Sequence, residues 1–146
     1  MFNKLVVGTD GSETADEAVL RAAELARTSG AKLHIVSAYE PVAPARLREE
    51  AVEAPKDIEW AINPREDVDA TLDRAKGIAG AGLEVETHAR QGDPADAILD
   101  VAEEIEADLI VVGNKGMTGA RRFLLGSVPN RISHHAPCAV LIIRTT

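Results

Sequence analysis

The run Leu109-Ile110-Val111-Val112 has no polar position to turn toward water. Such a strand is stable only where both faces of its sheet are covered, which calls for parallel strands joined by helical crossovers. The rest of the chain supplies them. Lys4 to Thr9 is a short apolar run stopped by Asp10-Gly11; Leu33 to Tyr39 is a second strand, Leu83 to Ala89 an alternating third, and Ala139 to Ile143 the last. Between them the apolar period lengthens to that of a helix. Ala15, Ala18, Val19, Ala22, Leu25 and Ala26 form one stripe, Val68, Leu72, Ala75 and Ala79 another, and Ile98, Ala102 and Ile105 a third. Ser12 can cap the first helix, with Thr14 to Glu17 at capping-box spacing, and Gly30 ends it. Asn63-Pro64 reads as N-cap and first turn of the second helix, which Gly80 and Gly82 close. Gly92-Asp93-Pro94 starts the third, and Ser127 caps a short fourth with Pro129 in its first turn.

The order β-α-β-α-β-α-β-α-β predicts an α/β fold: a single Rossmann-like, doubly wound domain with a five-stranded parallel sheet and helices on both faces. No linker or repeat divides residues 1–146, a length that suits one domain. One stretch breaks the rhythm. Glu40 to Asn63 carries Pro41, Pro44, Pro55 and the lone Trp60, and reads as a variable flap anchored by that tryptophan. In sheets of this kind ligands sit beyond the carboxyl ends of the strands, where the connections change direction. If strands one and four are the central neighbours, Asp10 and Gly113 lie side by side there.

Charge narrows the function classes. The net charge of −8 argues against nucleic acid as a partner. It is unevenly spread: residues 109–146 contain no acid and five cations, Lys115, Arg121, Arg122, Arg131 and Arg144, against −13 for the remainder. That section can attract a small anion, or its composition can simply reflect buried strand. The longest apolar run, Cys138 to Ile143, is too short for a bilayer, and no basic-then-apolar leader opens the chain, so a cytoplasmic protein with no membrane partner is expected. Cys138 is the only cysteine, which excludes an intrachain disulfide and a cysteine-built zinc site.

Chemistry concentrates between Gly113 and Val128. Gly113 and Gly116 are separated by two residues, Gly116 and Gly126 by nine, and Ser127 follows at once. Glycines let a phosphate approach the main chain, and Gly126-Ser127 opens a helix whose free N–H groups and dipole favour an anion. The Ser127 hydroxyl can donate to a phosphate oxygen, with Lys115, Arg121 and Arg122 supplying charge. The spacing is not that of a P-loop, and no Gly-x-Gly-x-x-Gly follows the first strand. By geometry alone a flexible loop with an ordinary N-cap is the competing reading.

This pattern, Gly-x2-Gly-x9-Gly-Ser after an apolar fourth strand, together with Val7-Gly8-Thr9-Asp10-Gly11-Ser12 and Ala136-Pro137-Cys138-Ala139-Val140-Leu141-Ile142, resembles the universal stress protein family in its nucleotide-binding branch. The resemblance covers nearly the whole chain, is weakest in the flap, and implies the strand order 3-2-1-4-5 for the sheet. It implies that Asp10 accepts hydrogen bonds from ribose hydroxyls with the Thr9 backbone beside it. Ser37 would meet adenine through its main chain, although the family often has valine there. Gly113 would touch the ribose, while Gly116, Gly126, Ser127 and Val128 would hold phosphates. It also implies a homodimer joined through the last strand, about Ala139 to Ile143.

The ligand expected is an adenine nucleotide, foremost ATP, with AMP or cyclic AMP as alternatives and Mg2+ as a companion of a polyphosphate. The wording is similar to small actinobacterial members, some of which take cyclic AMP as well as ATP. The expected role is a regulatory stress-response switch or sensor. A slow ATPase, with Asp10 or Mg2+ positioning water, and a purely structural dimer are the competing roles. No catalytic residue is assigned, since no Ser/His/Asp set or carboxylate pair surrounds Asp10. No protein metal site is expected either. His134, His135 and Cys138 fit no ligand spacing, and His34 and His88 read as structural histidines within strands.

Overall fold

The computed structural model describes residues 2–39, 64–114 and 127–145. Its elements in chain order are β1 (Lys4–Gly8), α1 (Glu13–Ser29), β2 (Lys32–Tyr39), α2 (Pro64–Ala79), β3 (Val85–Gln91), α3 (Pro94–Ile105), β4 (Leu109–Gly113), α4 (Ser127–His135) and β5 (Ala139–Ile143). The five strands are parallel, as the alternation of elements predicted, and stand in the order β3-β2-β1-β4-β5 that the family resemblance implied. The flap at 40–63 lies outside the described residues, with Trp60 and Asn63 in it.

Two apolar layers flank the sheet. Leu5, Val7, Leu33, Ile35, Leu109 and Val111 point to one side, under α1 and α2; Val6, Val36, Ile110 and Val112 point to the other, under α3 and α4. Strand alternation therefore buries both faces of β1 past Lys4 and of β4, which is why 5–7 and 109–112 carry no polar residue. Alanine dominates the helix faces turned inward, with Ala18, Ala22 and Ala26 of α1 wholly buried, so the helices lie close on the sheet. The stripe of α1 includes Ala23 in place of Leu25, which is only partly buried.

Capping settles the helix starts. The Ser12 side chain accepts from the Ala15 N–H at 3.2 Å, so Ser12 is the N-cap of α1. Thr14 to Glu17 then falls inside the helix, and the capping-box spacing seen there is incidental. Gly30 ends α1 in the left-handed conformation at φ 69°. Asp93 caps α3 by accepting from Asp96 N–H. β3 begins two residues later than the alternation suggested, because Leu83 lies in the turn that leads into the strand.

Asp108 ties the start of the sheet together. Its Oδ2 accepts from the main-chain N–H of Asn3 at 2.7 Å and of Lys4 at 2.9 Å. These bonds hold the Asp108 carboxyl below the usual aspartate range. The sign follows directly. A lowered folded-state value means that the stabilisation is complete above the unfolded value of about 3.9 and is lost as pH falls through the lower folded value. Asp108→Asn should therefore be less stable at neutral pH, and its unfolding free energy should vary less than the parent's below about pH 4. Urea unfolding across that range checks this; equal slopes would remove the assignment.

Candidate functional site

Chain reversal creates the site. β1 runs into α1 on one face and β4 into α4 on the other, so the strand ends at the centre of the sheet part company and leave a crevice between them. The crevice is small and partly open to solvent, and is lined by Gly8, Thr14, Ala15, Val112, Gly113, Val128 and Pro129. Val7 is level with Val111, and continuing that register sets Gly8 beside Val112 and Thr9 beside Gly113. β1 and β4 are thus neighbours, as the sequence reading supposed, but the register brings Thr9 rather than Asp10 level with Gly113.

Each wall has a local cause. Thr9 is fully buried; its N–H donates to the Val36 carbonyl at 2.9 Å and its hydroxyl accepts from Gly11 N–H at 3.1 Å. Asp10 is exposed, and its Oδ1 accepts from Ser12 N–H at 2.9 Å, a tight turn that swings the chain into α1. Gly11 sits in that turn at φ 84°, with Thr71 of α2 packed 3.4 Å from where a Cβ would stand. Arg74 of α2 then fastens the turn from outside by donating to the Gly11 carbonyl at 2.8 Å and pairing with Asp16. Burial raises the Asp16 carboxyl above the usual value, against the lowering effect of Arg74 and with Asp10 and Glu13 adding to the rise.

On the opposite wall, Gly113 ends β4 and lies in the crevice floor. A Cβ there would sit 3.6 Å from Thr145 Cγ2 and 3.7 Å from the Thr14 carbonyl, so the missing side chain is what leaves this space open. Asn114 follows and holds the chain after β5: its Oδ1 accepts from Thr145 N–H at 2.9 Å and from the Thr145 hydroxyl at 3.0 Å. The first turns of α1 and α4 both face the crevice. The α1 turn carries Glu13 and Asp16, whereas the α4 turn has no acid. An anion is therefore favoured at α4.

Of the residues singled out from sequence, Gly113 and Val128 line the crevice, while Asp10 and Ser127 adjoin lining segments. Thr9 is level with the floor, but its N–H is committed to the sheet. Ser37 is buried one strand away, level with Thr9 and one step past the Gly8–Val36 pair. Gly116 and Gly126 lie outside the described residues, as do Lys115, Arg121 and Arg122. Arg131, counted in the basic section, pairs with Asp93 at 3.6 Å and Asp96 at 2.7 Å, so its charge serves the α3–α4 contact. Arg74, Asn114 and Thr145 were not foreseen; their roles depend on contacts across 31 to 63 residues of chain, which leave no local signature.

The clamp made by Arg74 has a measurable consequence. Arg74→Ala should cost about 0.2–1 kcal/mol, the range for an ion pair with an exposed partner, and should speed amide exchange at Gly11 and Ser12. Unchanged exchange there would mean that the turn holds itself.

The chain matches the model of the universal stress protein family over residues 1–144. It is 40% identical to universal stress protein Rv1636 of Mycobacterium tuberculosis over 147 residues, covering 99% of this chain and 98% of that one. Among solved structures it resembles a universal stress protein in complex with cAMP, with 37% identity, a TM-score of 0.76 and 99% of each chain covered. It also resembles the universal stress protein from Archaeoglobus fulgidus in complex with dAMP, with 27% identity, a TM-score of 0.66 and 98% of each chain covered.

Proposed function

The chain belongs to the universal stress protein family, and from that premise we propose that it binds an adenine nucleotide between β1 and β4 and acts as a regulatory binding module. The observation that carries this is the crevice itself, floored by Gly113 where a side chain would fill it and bounded by the acid-free first turn of α4. The cAMP and dAMP complexes of the two structural relatives support the adenine class.

In this reading Asp10 accepts from the ribose hydroxyls through the carboxylate that also caps its turn. The Thr9 backbone lies beside it, and what that residue can offer is its carbonyl, since its N–H is spent. Ser37 contributes main chain toward the adenine, Gly113 contacts the ribose, and Gly116, Gly126, Ser127 and Val128 receive phosphates. ATP is the nucleotide we favour, because Lys115, Arg121 and Arg122 give the loop three cations in eight residues, more than one phosphate needs. Mg2+ would then be held chiefly by the phosphates and water. Cyclic AMP is the runner-up, favoured by the relative that holds it.

Two measurements test this reading. Mass spectrometry of nucleotide released from the purified protein identifies the ligand, and calorimetric titration with ATP, AMP and cyclic AMP ranks them. Absence of heat from all three at millimolar concentration would end the proposal. It extends to a homodimer through β5. That strand has no neighbour on its outer edge among the described residues, and Leu141 there is a large apolar side chain 39% exposed. Leu141→Glu should sediment as a monomer; an unchanged sedimentation coefficient would place any interface elsewhere.

A further inference from the structure

Away from the crevice, two histidines and a carboxylate meet on the sheet face beneath α3. Parallel pairing sets His34 of β2 beside Glu86 of β3, with His88 two residues further along the same edge strand. All three side chains share the face of Val36, because alternate residues point the same way. His34 Nδ1 lies 2.9 Å from His88 Nε2 and 3.5 Å from a Glu86 oxygen, and the three ligand atoms fall within 4.8 Å of one another. His34 is buried, His88 half-buried and Glu86 exposed, so the cluster has a fixed base and an open mouth.

We propose that His34, Glu86 and His88 form a binding site for a divalent transition metal, with Zn2+ the ion it fits best. Metal–ligand bonds of 2.0–2.2 Å in a tetrahedron place neighbouring ligand atoms about 3.3 Å apart. The two edges that meet at His34, 2.9 and 3.5 Å, bracket that value, and the third, between Glu86 and His88, lies within 4.8 Å, so small side-chain rotations on the open side would draw the three donors around the ion. Two imidazoles and one carboxylate are a donor set for zinc rather than for Mg2+ or Ca2+, which prefer oxygen alone. Three protein donors leave the fourth position to water on the open side.

The three side chains are also linked through hydrogen bonds and an ion pair. One imidazole N–H donates to the other ring, and Lys32 Nζ sits 3.1 Å from the Glu86 oxygen. Burial lowers both histidines from their usual value, and the bond from Lys32 lowers Glu86, so the donors are in their ligating forms near neutral pH. The other charged groups acting on the pair are Lys4, Arg90 and Glu104; Arg90 and Glu104 are themselves paired at 2.7 Å. Binding would transfer Glu86 from Lys32 to the metal and would tie the edge strand β3 to β2.

The test is calorimetric titration of the full chain with Zn2+, and with Co2+ for the visible spectrum of a tetrahedral centre. One ion per chain is expected. Glu86→Gln and His88→Gln, both at positions with solvent access, should each weaken binding at least about 100-fold, more than the loss of an outer partner typically does. The double variant His134→Gln/His135→Gln should bind as the parent does, and ATP affinity should be unchanged in all of them, since the substituted residues lie on β3 and the end of α4, outside the crevice lining. No stoichiometric binding, binding indifferent to Glu86→Gln and His88→Gln, or binding lost in the His134/His135 variant would each overturn the site.

Discussion

Valine at Gly113 is expected to weaken nucleotide binding by at least about 100-fold, equivalent to about 2.7 kcal/mol, while the domain stays folded. The geometry separates the two effects. The first carbon added at Gly113 meets Thr145 and the Thr14 carbonyl at 3.6 to 3.7 Å, which is ordinary contact, and Gly113 is not among the glycines with positive φ. Alanine should therefore be tolerated by the backbone and should cost about tenfold in affinity. Valine suits the end of a strand, but its two further methyls extend from a position that lines the crevice. Titration calorimetry and a thermal melt on the same preparation measure both. Affinity within threefold of the parent for the valine variant would show that the nucleotide does not use this crevice.

Truncation of Ile132 to alanine should give the largest loss of stability, about 2–5 kcal/mol. α4 has nine residues, too few to hold a helix on its own, and relies on packing for its shape. Its buried residues are Val128, Pro129 and Ile132, and Ile132 is fully buried among Ile98, Val101 and Ile110. Removing that anchor loosens a helix whose first turn forms one wall of the crevice, so nucleotide affinity should fall with stability. For a chain of this size the midpoint of thermal unfolding should drop by roughly 2–4 °C per kcal/mol. A loss below about 1 kcal/mol would mean that α4 lies outside the cooperative core.

The central place of β1 and β4 was legible because both are apolar on both faces, which only the interior of a covered sheet allows; the full strand order came from the family resemblance. The stripes Val68-Leu72-Ala75-Ala79 and Ile98-Ala102 were legible for the same reason, since burial repeats with the helical period. The end of the sheet at which a site should form followed from the order. What sequence could not supply was cross-chain geometry. Arg131 reads as a free cation in a basic section until α3 brings Asp93 and Asp96 to it. His34 and His88 read as separate strand residues until pairing of β2 with β3 brings them to 2.9 Å across 54 positions. Thr14 to Glu17 shows the opposite failure, a local pattern with the right spacing overridden by a better cap two residues earlier. Gly116 and Gly126, on which the loop motif rests, lie outside the described residues, so their roles remain part of the proposal.

Val7 of β1 and Val111 of β4 stand side by side although more than a hundred residues of chain separate them. Closing so long a loop is entropically costly, and no unfolded chain holds the two strand ends together. Any ligand of the crevice therefore binds the native state alone and draws the unfolding equilibrium toward it. At a hundredfold excess over its dissociation constant, a nucleotide would add about 2.7 kcal/mol to the stability of the fold. Melting temperature thus becomes an assay that needs no catalytic turnover: heating the protein against a panel of nucleotides would rank them by affinity.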